Sequence, residues 1–307
     1  METFVERTPA RRFNPLDDFL FHKIMGEKGD EVQLLGFLNA VLGRSGDKQI
    51  ASVTILENKT FTPETMGGKS SILDVRAELG DGSRVNIEVQ LRNEGNMDKR
   101  SLFYWGKEFT ECLKRGHHYH ELPDVIAINI VNFEFLPAKN FHTCFHLRED
   151  TERDLILTSA LEIHFLDMVK WRRQREKDIA GDALHRWMTW FNEKSPPELI
   201  EEVKKMDPSI LTAEEKMAFV AGDEDVVDIY YRRLMWSCDQ ASMRHNAIEE
   251  GLAKGMAEGL AKGIDQGLSQ GREQSTLEIA RKMKNRGRPI EEVAEDTGLS
   301  LDIIMKL

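Results

Sequence analysis

The chain has 307 residues, of which 42 are Lys or Arg and 53 are Asp or Glu, for a formal net charge of −11. Hydrophobic residues make up 40%, too many for a disordered chain, and no apolar run approaches the roughly 20 residues that span a bilayer. Three scattered cysteines (Cys112, Cys144, Cys238) and an N-terminal stretch without an apolar core suit a cytoplasmic protein, and the net charge by itself argues against nucleic acid as a partner.

In chain order, Phe21, Ile24, Met25, Val32, Leu35, Leu38 and Leu42 recur near helical spacing and predict one helix over residues 17–42. Strands are expected at residues 51–61, 72–79, 84–91 and 125–131, with a helix at 97–115 before the last of them. Residues 141–147 and 155–165 read as further strands. From residue 177 onward the pattern is helical, broken at Pro196-Pro197 and Pro208. This order defines an α/β (α+β) core of roughly 150 residues followed by helices.

Glycine then recurs every fourth residue, at Gly251, Gly255, Gly259, Gly263, Gly267 and Gly271, with Leu252, Met256, Leu260, Ile264 and Leu268 on the same period. Six glycines cost a helix roughly 5–6 kcal/mol relative to alanine. Such a segment is either a frayed linker or a helix held by close packing against a second copy, making the chain a homo-oligomer. Residues 275–307 read as a helical run ending at Gly287, a short helix at 290–296 stopped by Gly298, and a third opened by Ser300 as N-cap. The unit is compatible with a DNA-reading helix-turn-helix or with a plain helical cap.

The stretch that carries chemistry is 73–90. Val85, Ile87 and Val89 alternate with Asn86, Glu88 and Gln90, and Val75, Ala77 and Leu79 alternate with Asp74, Arg76 and Glu78. A two-residue loop at Asp81-Gly82 would put Asp74 and Glu88 on opposite faces. A three-residue loop, Gly80-Asp81-Gly82, pairs Leu79 with Ser83 and hence Asp74 with Glu88, with Gly82 at the left-handed position that such loops need. Opposed carboxylates about 5 Å apart invite a divalent cation; the same spacing also suits a polar strand face with both carboxylates solvated. The three-residue loop is the expectation.

Asp74, a hairpin, then Glu88-Val89-Gln90 resembles the Asp…Glu-x-Lys core of PD-(D/E)XK nucleases, with glutamine in place of lysine. Asn14-Pro15-Leu16-Asp17-Asp18-Phe19-Leu20-Phe21, Leu73-Asp74-Val75-Arg76-Ala77-Glu78, Asn86-Ile87-Glu88-Val89-Gln90, Lys99-Arg100-Ser101-Leu102-Phe103-Tyr104-Trp105 and Leu161-Glu162-Ile163-His164-Phe165-Leu166 narrow the likeness to the Rpn-type recombination-promoting nucleases, or PD-(D/E)XK nuclease family transposases. The resemblance implies a restriction-endonuclease-like core over residues 14–170, a helical region at 177–245, a Gly-repeat helix or linker at 246–274, and a small helical unit at 275–307.

It further implies metal-dependent hydrolysis of DNA phosphodiesters in recombination, transposition or defence. Asp74 and Glu88 would hold Mg²⁺ (or Mn²⁺ or Ca²⁺), with the Val89 carbonyl and Asp18 completing the set; Asp17 competes with Asp18 for that role. Gln90 would orient water or the scissile phosphate. Arg100 and Tyr104 would face the substrate, helped by Lys107 and by the basic run containing Lys170, Arg172 and Arg173. The rival reading keeps the fold but makes the chain a non-catalytic DNA-binding or assembly protein. His117-His118-x-His120 reads as a cationic helix end rather than a metal site.

Overall fold

The computed structural model describes residues 12–57, 75–113 and 118–307. Within them the chain forms two compact units, Met1–Tyr231 and Arg232–Leu307.

The first unit is built on a six-stranded mixed sheet of order β1-β2-β3-β4-β6-β5. The strands are β1 (Val53–Leu56), β2 (Val75–Leu79), β3 (Arg84–Gln90), β4 (Val125–Val131), β5 (His142–His146) and β6 (Leu161–Asp167). β3, β4 and β6 run parallel; the outer pairings are antiparallel. β4 is buried at every position, as a central parallel strand covered on both faces must be.

The hairpin has the expected three-residue loop. The Leu79 amide donates to the Ser83 carbonyl at 2.9 Å, and Gly82 adopts φ +88°. Val75 pairs with Ile87, Arg76 with Asn86 and Ala77 with Val85. Asp74, one residue before β2, lies outside the described residues.

One face of the sheet presents Val85, Ile87, Val89, Ile126, Ile128 and Ile130 to the main core. That core is closed by α1 (Asp18–Met25), α2 (Glu31–Val41), α5 (Ala183–Phe191), α6 (Pro197–Met206) and α7 (Pro208–Ala221). At its centre Phe37, Trp187, Trp190 and Phe191 meet mostly edge to face. The other face carries α3 (Met97–Glu111), which packs on β3 and β4. The short helix α4 (Met168–Arg173) follows β6 and buries Met168 and Trp171.

Three sequence expectations need correction. The single helix over 17–42 is two helices: α1 ends at Gly26, Gly29 takes φ +106°, and the buried Asp30 accepts from the Glu27 amide before α2 begins. The helix expected to reach residue 115 ends at Glu111; residues 114–117 lie outside the described set. The strand expected from 155 starts only at Leu161, since Leu155 and Leu157 are exposed and residues 148–156 form an irregular excursion with a single bridge, Arg148 to Ile156.

The helix α8 (Glu224–Asn285) is continuous through all six repeat glycines. In the second unit it is followed by α9 (Ile290–Thr297) and α10 (Leu301–Lys306), which bury Ala280, Val293 and Ile304 together. Gly298 caps α9 at φ +70°; Ser300 occupies the N-cap of α10 without a side-chain hydrogen bond.

Candidate metal and nucleic-acid site

The alternation in β3 sends Asn86, Glu88 and Gln90 to the face beneath α3. There Glu88 is 2% exposed. Its Oε2 accepts from Arg100 Nε at 3.3 Å and from Gln90 Nε2 at 3.4 Å. Among the described residues its buried Oε1 has no hydrogen-bond partner, and neither has the Oδ1 of Asn86 two residues earlier on the same face. Burial pushes the Glu88 carboxyl up to about 7, with the Arg100 guanidinium and Gln90 pulling the other way. A buried carboxylate oxygen without a donor is costly to leave unsatisfied, and hard divalent cations prefer oxygen ligands of this kind. The residues present therefore fit such an ion.

Arg100 and Tyr104 stand one turn apart on α3, and the Arg100 guanidinium lies 5.2 Å from the centre of the Tyr104 ring. Tyr104 is itself buried. The structure thus gathers Glu88, Gln90, Arg100 and Tyr104, and it turns Arg100 inward onto Glu88. The sequence offered no sign of this last contact, which joins a helix to a strand twelve residues earlier.

The other anticipated residues fall elsewhere. Asp17 N-caps α1 by accepting from the Leu20 amide at 3.2 Å, and the exposed Asp18 accepts from the Phe19 amide at 2.9 Å. The Val89 side chain points into the main core, which leaves its carbonyl as the one ligand atom it has to offer. Lys107 sits among Glu111, Arg76 and Glu108, and burial lowers its pKa. The basic run is occupied internally: Lys170 donates to the Leu136 carbonyl at 2.6 Å, Arg172 to Asn132, and Arg173 pairs with Glu134. His118 and His120 stack on each other, while His117 lies outside the described residues.

An ion-pair network missed by the sequence reading anchors α3 over the site. Arg76 of β2 binds Glu108 at 2.7 Å and Glu111 at 3.0 Å, with both Arg76 and Glu108 buried. A cleft of about 470 Å³ beside this network is lined by Glu78, Arg84 and Glu111, at the opposite end of β3 from Glu88.

A mixed sheet whose parallel strand β3 carries a buried glutamate, entered from an antiparallel hairpin and covered by a helix, is a PD-(D/E)XK-type nuclease core. The chain belongs to the PD-(D/E)XK nuclease family transposases, whose family model matches residues 15–247. Membership supports a nuclease-type function, DNA as the substrate class and the use of a divalent metal. No curated protein and no solved structure gives a significant match. No helix among the described residues is long and apolar enough to cross a membrane.

Proposed function

We propose that the chain is a cytoplasmic, divalent-metal-dependent DNA endonuclease acting in recombination, transposition or defence. The observation that carries this reading is the buried Glu88, whose Oε1 has no partner among the described residues and whose carboxyl is raised to about 7. Perturbed carboxylates of this kind concentrate at working sites. Glu88 and Asp74 would hold Mg²⁺, with Mn²⁺ or Ca²⁺ as substitutes; the register Val75 to Ile87 supports Asp74 as the next residue toward Glu88. The Val89 carbonyl and Asp18 are proposed to complete the set. When bound, the ion supplies a water of lowered pKa and neutralises charge on the phosphate.

Gln90 is neutral and orients water or phosphate by hydrogen bonding alone. Arg100 supplies the positive charge that glutamine lacks: its guanidinium reaches Glu88 and remains 31% exposed. Tyr104 holds that guanidinium in place from below. Lys107, Lys170, Arg172 and Arg173 are proposed to contact the DNA backbone, which requires the last three to exchange their internal partners for phosphate.

The exposed stripe Leu252, Met256, Leu260, Ile264 and Leu268, beside glycines with open space around them, supports α8 as a homo-oligomerising helix. Residues 14–170 would then act as the catalytic part, with 177–245, 246–274 and 275–307 as helical, Gly-repeat and terminal parts serving position and assembly.

Calorimetric titration of the full-length protein with Mg²⁺ and Mn²⁺ tests the reading. Saturable binding that disappears in Glu88→Ala is expected. Silence toward both ions in the wild type would favour the non-catalytic, DNA-binding alternative.

A further inference from the structure

The β5–β6 hairpin gathers a second set of ligand-type side chains, remote from Glu88. The register pairs Cys144 with His164 and His146 with Glu162, so all four share one face. It is the opposite face of the sheet from Glu88: His164 aligns with Ile128 of β4, whereas Glu88 aligns with Asn129.

The atoms converge. Cys144 Sγ lies 3.3 Å from His146 Nε2, 3.6 Å from His164 Nε2 and 3.8 Å from Glu162 Oε1. Glu162 Oε1 and His164 Nε2 are 2.7 Å apart. Around a tetrahedral ion with bonds of about 2.3 Å to sulfur and about 2.0–2.1 Å to nitrogen or oxygen, ligand atoms stand about 3.3–3.6 Å apart. The sulfur distances already approach that spacing, and the hydrogen-bonded Glu162–His164 pair must open by about half an ångström. Cys144, His146 and Glu162 keep their ligand atoms within 4.8 Å of one another, and His164, which reaches Cys144 and Glu162, joins them once His146 swings toward it.

A fifth residue completes the arrangement. His142 Nε2 lies 2.8 Å from His164 Nδ1. Coordination through Nε2 requires the proton of His164 on Nδ1, where it donates to His142 and fixes the ring, as the outer partners of metal-bound histidines do. His164 is buried while Cys144 is exposed, so the cluster is anchored at one end and open to solvent at the other.

We propose that Cys144, His146, Glu162 and His164 form a second metal site that takes Zn²⁺ or a similar borderline-soft divalent ion. One thiolate and two imidazoles select against Mg²⁺ and Ca²⁺, which want oxygen ligands. Four protein donors make it a structural site, clipping the edge strand β5 to β6 and releasing the Cys144 thiol proton on binding.

The test uses the full-length protein stripped with EDTA and titrated with Co²⁺, then Zn²⁺. One equivalent of Co²⁺ is expected to give a thiolate-to-cobalt charge-transfer band with the visible bands of a tetrahedral site, and Zn²⁺ to abolish both. Cys144→Ser should remove the charge-transfer band and weaken Zn²⁺ binding about tenfold or more, whereas Glu88→Ala should leave both unchanged. Should Cys144→Ser fail to fold, the half-exposed His146→Gln tests the same loss of affinity. A wild type without the band, or a foldable ligand variant that binds Zn²⁺ as tightly as wild type, overturns the site and leaves the Glu88 reading untouched.

Discussion

Replacing Glu88 by glutamine keeps the shape of the side chain and removes its ability to ionise. Burial raises the Glu88 carboxyl from its ordinary value near 4.5 to about 7. A group whose folded pKa is raised binds its proton more tightly in the folded state. Its stabilising contribution is therefore fully present below pH 4.5 and is lost as pH rises through about 7. Each tenfold difference in proton affinity is worth about 1.4 kcal/mol, so the metal-free protein forfeits on the order of 3 kcal/mol across that window. Glutamine is neutral throughout and forfeits nothing there. Urea unfolding in EDTA, followed by fluorescence of the Trp187–Trp190 core, reads the comparison at pH 5 and pH 8. The stability of wild type relative to Glu88→Gln should fall between the two by an amount of that order. Adding Mg²⁺ at pH 8 should restore wild type alone. Parallel pH dependence in the two proteins would refute the burial argument.

Arg100→Ala should lower cleavage on the order of 10²-fold, the usual cost of one charge-stabilising donor, with Arg100→Lys recovering part of it in a steady-state nicking assay. Gly36 on α2 sits so close to α7 that an added Cβ would lie 2.0 Å from Ser209 Oγ and 2.4 Å from its Cβ. Gly36→Ala should therefore destabilise by about 1–3 kcal/mol in thermal or urea unfolding, and Ser209→Gly should recover much of the loss. Gly255, Gly259 and Gly263 have open space around them, so alanine at all three should raise the intrinsic helix stability of α8 by about 2–3 kcal/mol. Sedimentation should show weaker self-association of that triple variant, because the close approach of two helices is blocked; unchanged association would exclude the glycines from the contact.

Local signals made much of the fold legible. β4 announced itself as an unbroken apolar run, and the hairpin as two alternating segments around Asp81-Gly82. With Gly82 at positive φ only the three-residue loop keeps both polar faces together, and the register followed. The break between α1 and α2 was hidden because apolar spacing continues across it; Val32, counted as a core position, is 56% exposed. Leu155 and Leu157 misled in the same way, being apolar but solvent-facing. Glu88 and Gln90 could be placed on one face by alternation alone. That Arg100 turns onto Glu88, or that Arg172 and Arg173 reach residues about forty positions away, depends on tertiary packing that no local pattern encodes. The Cys144–His146 and Glu162–His164 pairs, each two residues apart on its own strand, acquire meaning only through the β5–β6 register.

In the proposed mechanism a metal held between Asp74 and Glu88 hydrolyses DNA. The most direct test is nicking of supercoiled plasmid by the full-length protein in Mg²⁺ or Mn²⁺, comparing wild type with Asp74→Ala and Glu88→Ala and with EDTA as control. Wild type should nick in a way that EDTA abolishes and that both variants lose. Equal nicking by all three proteins, or nicking that survives EDTA, would contradict this mechanism.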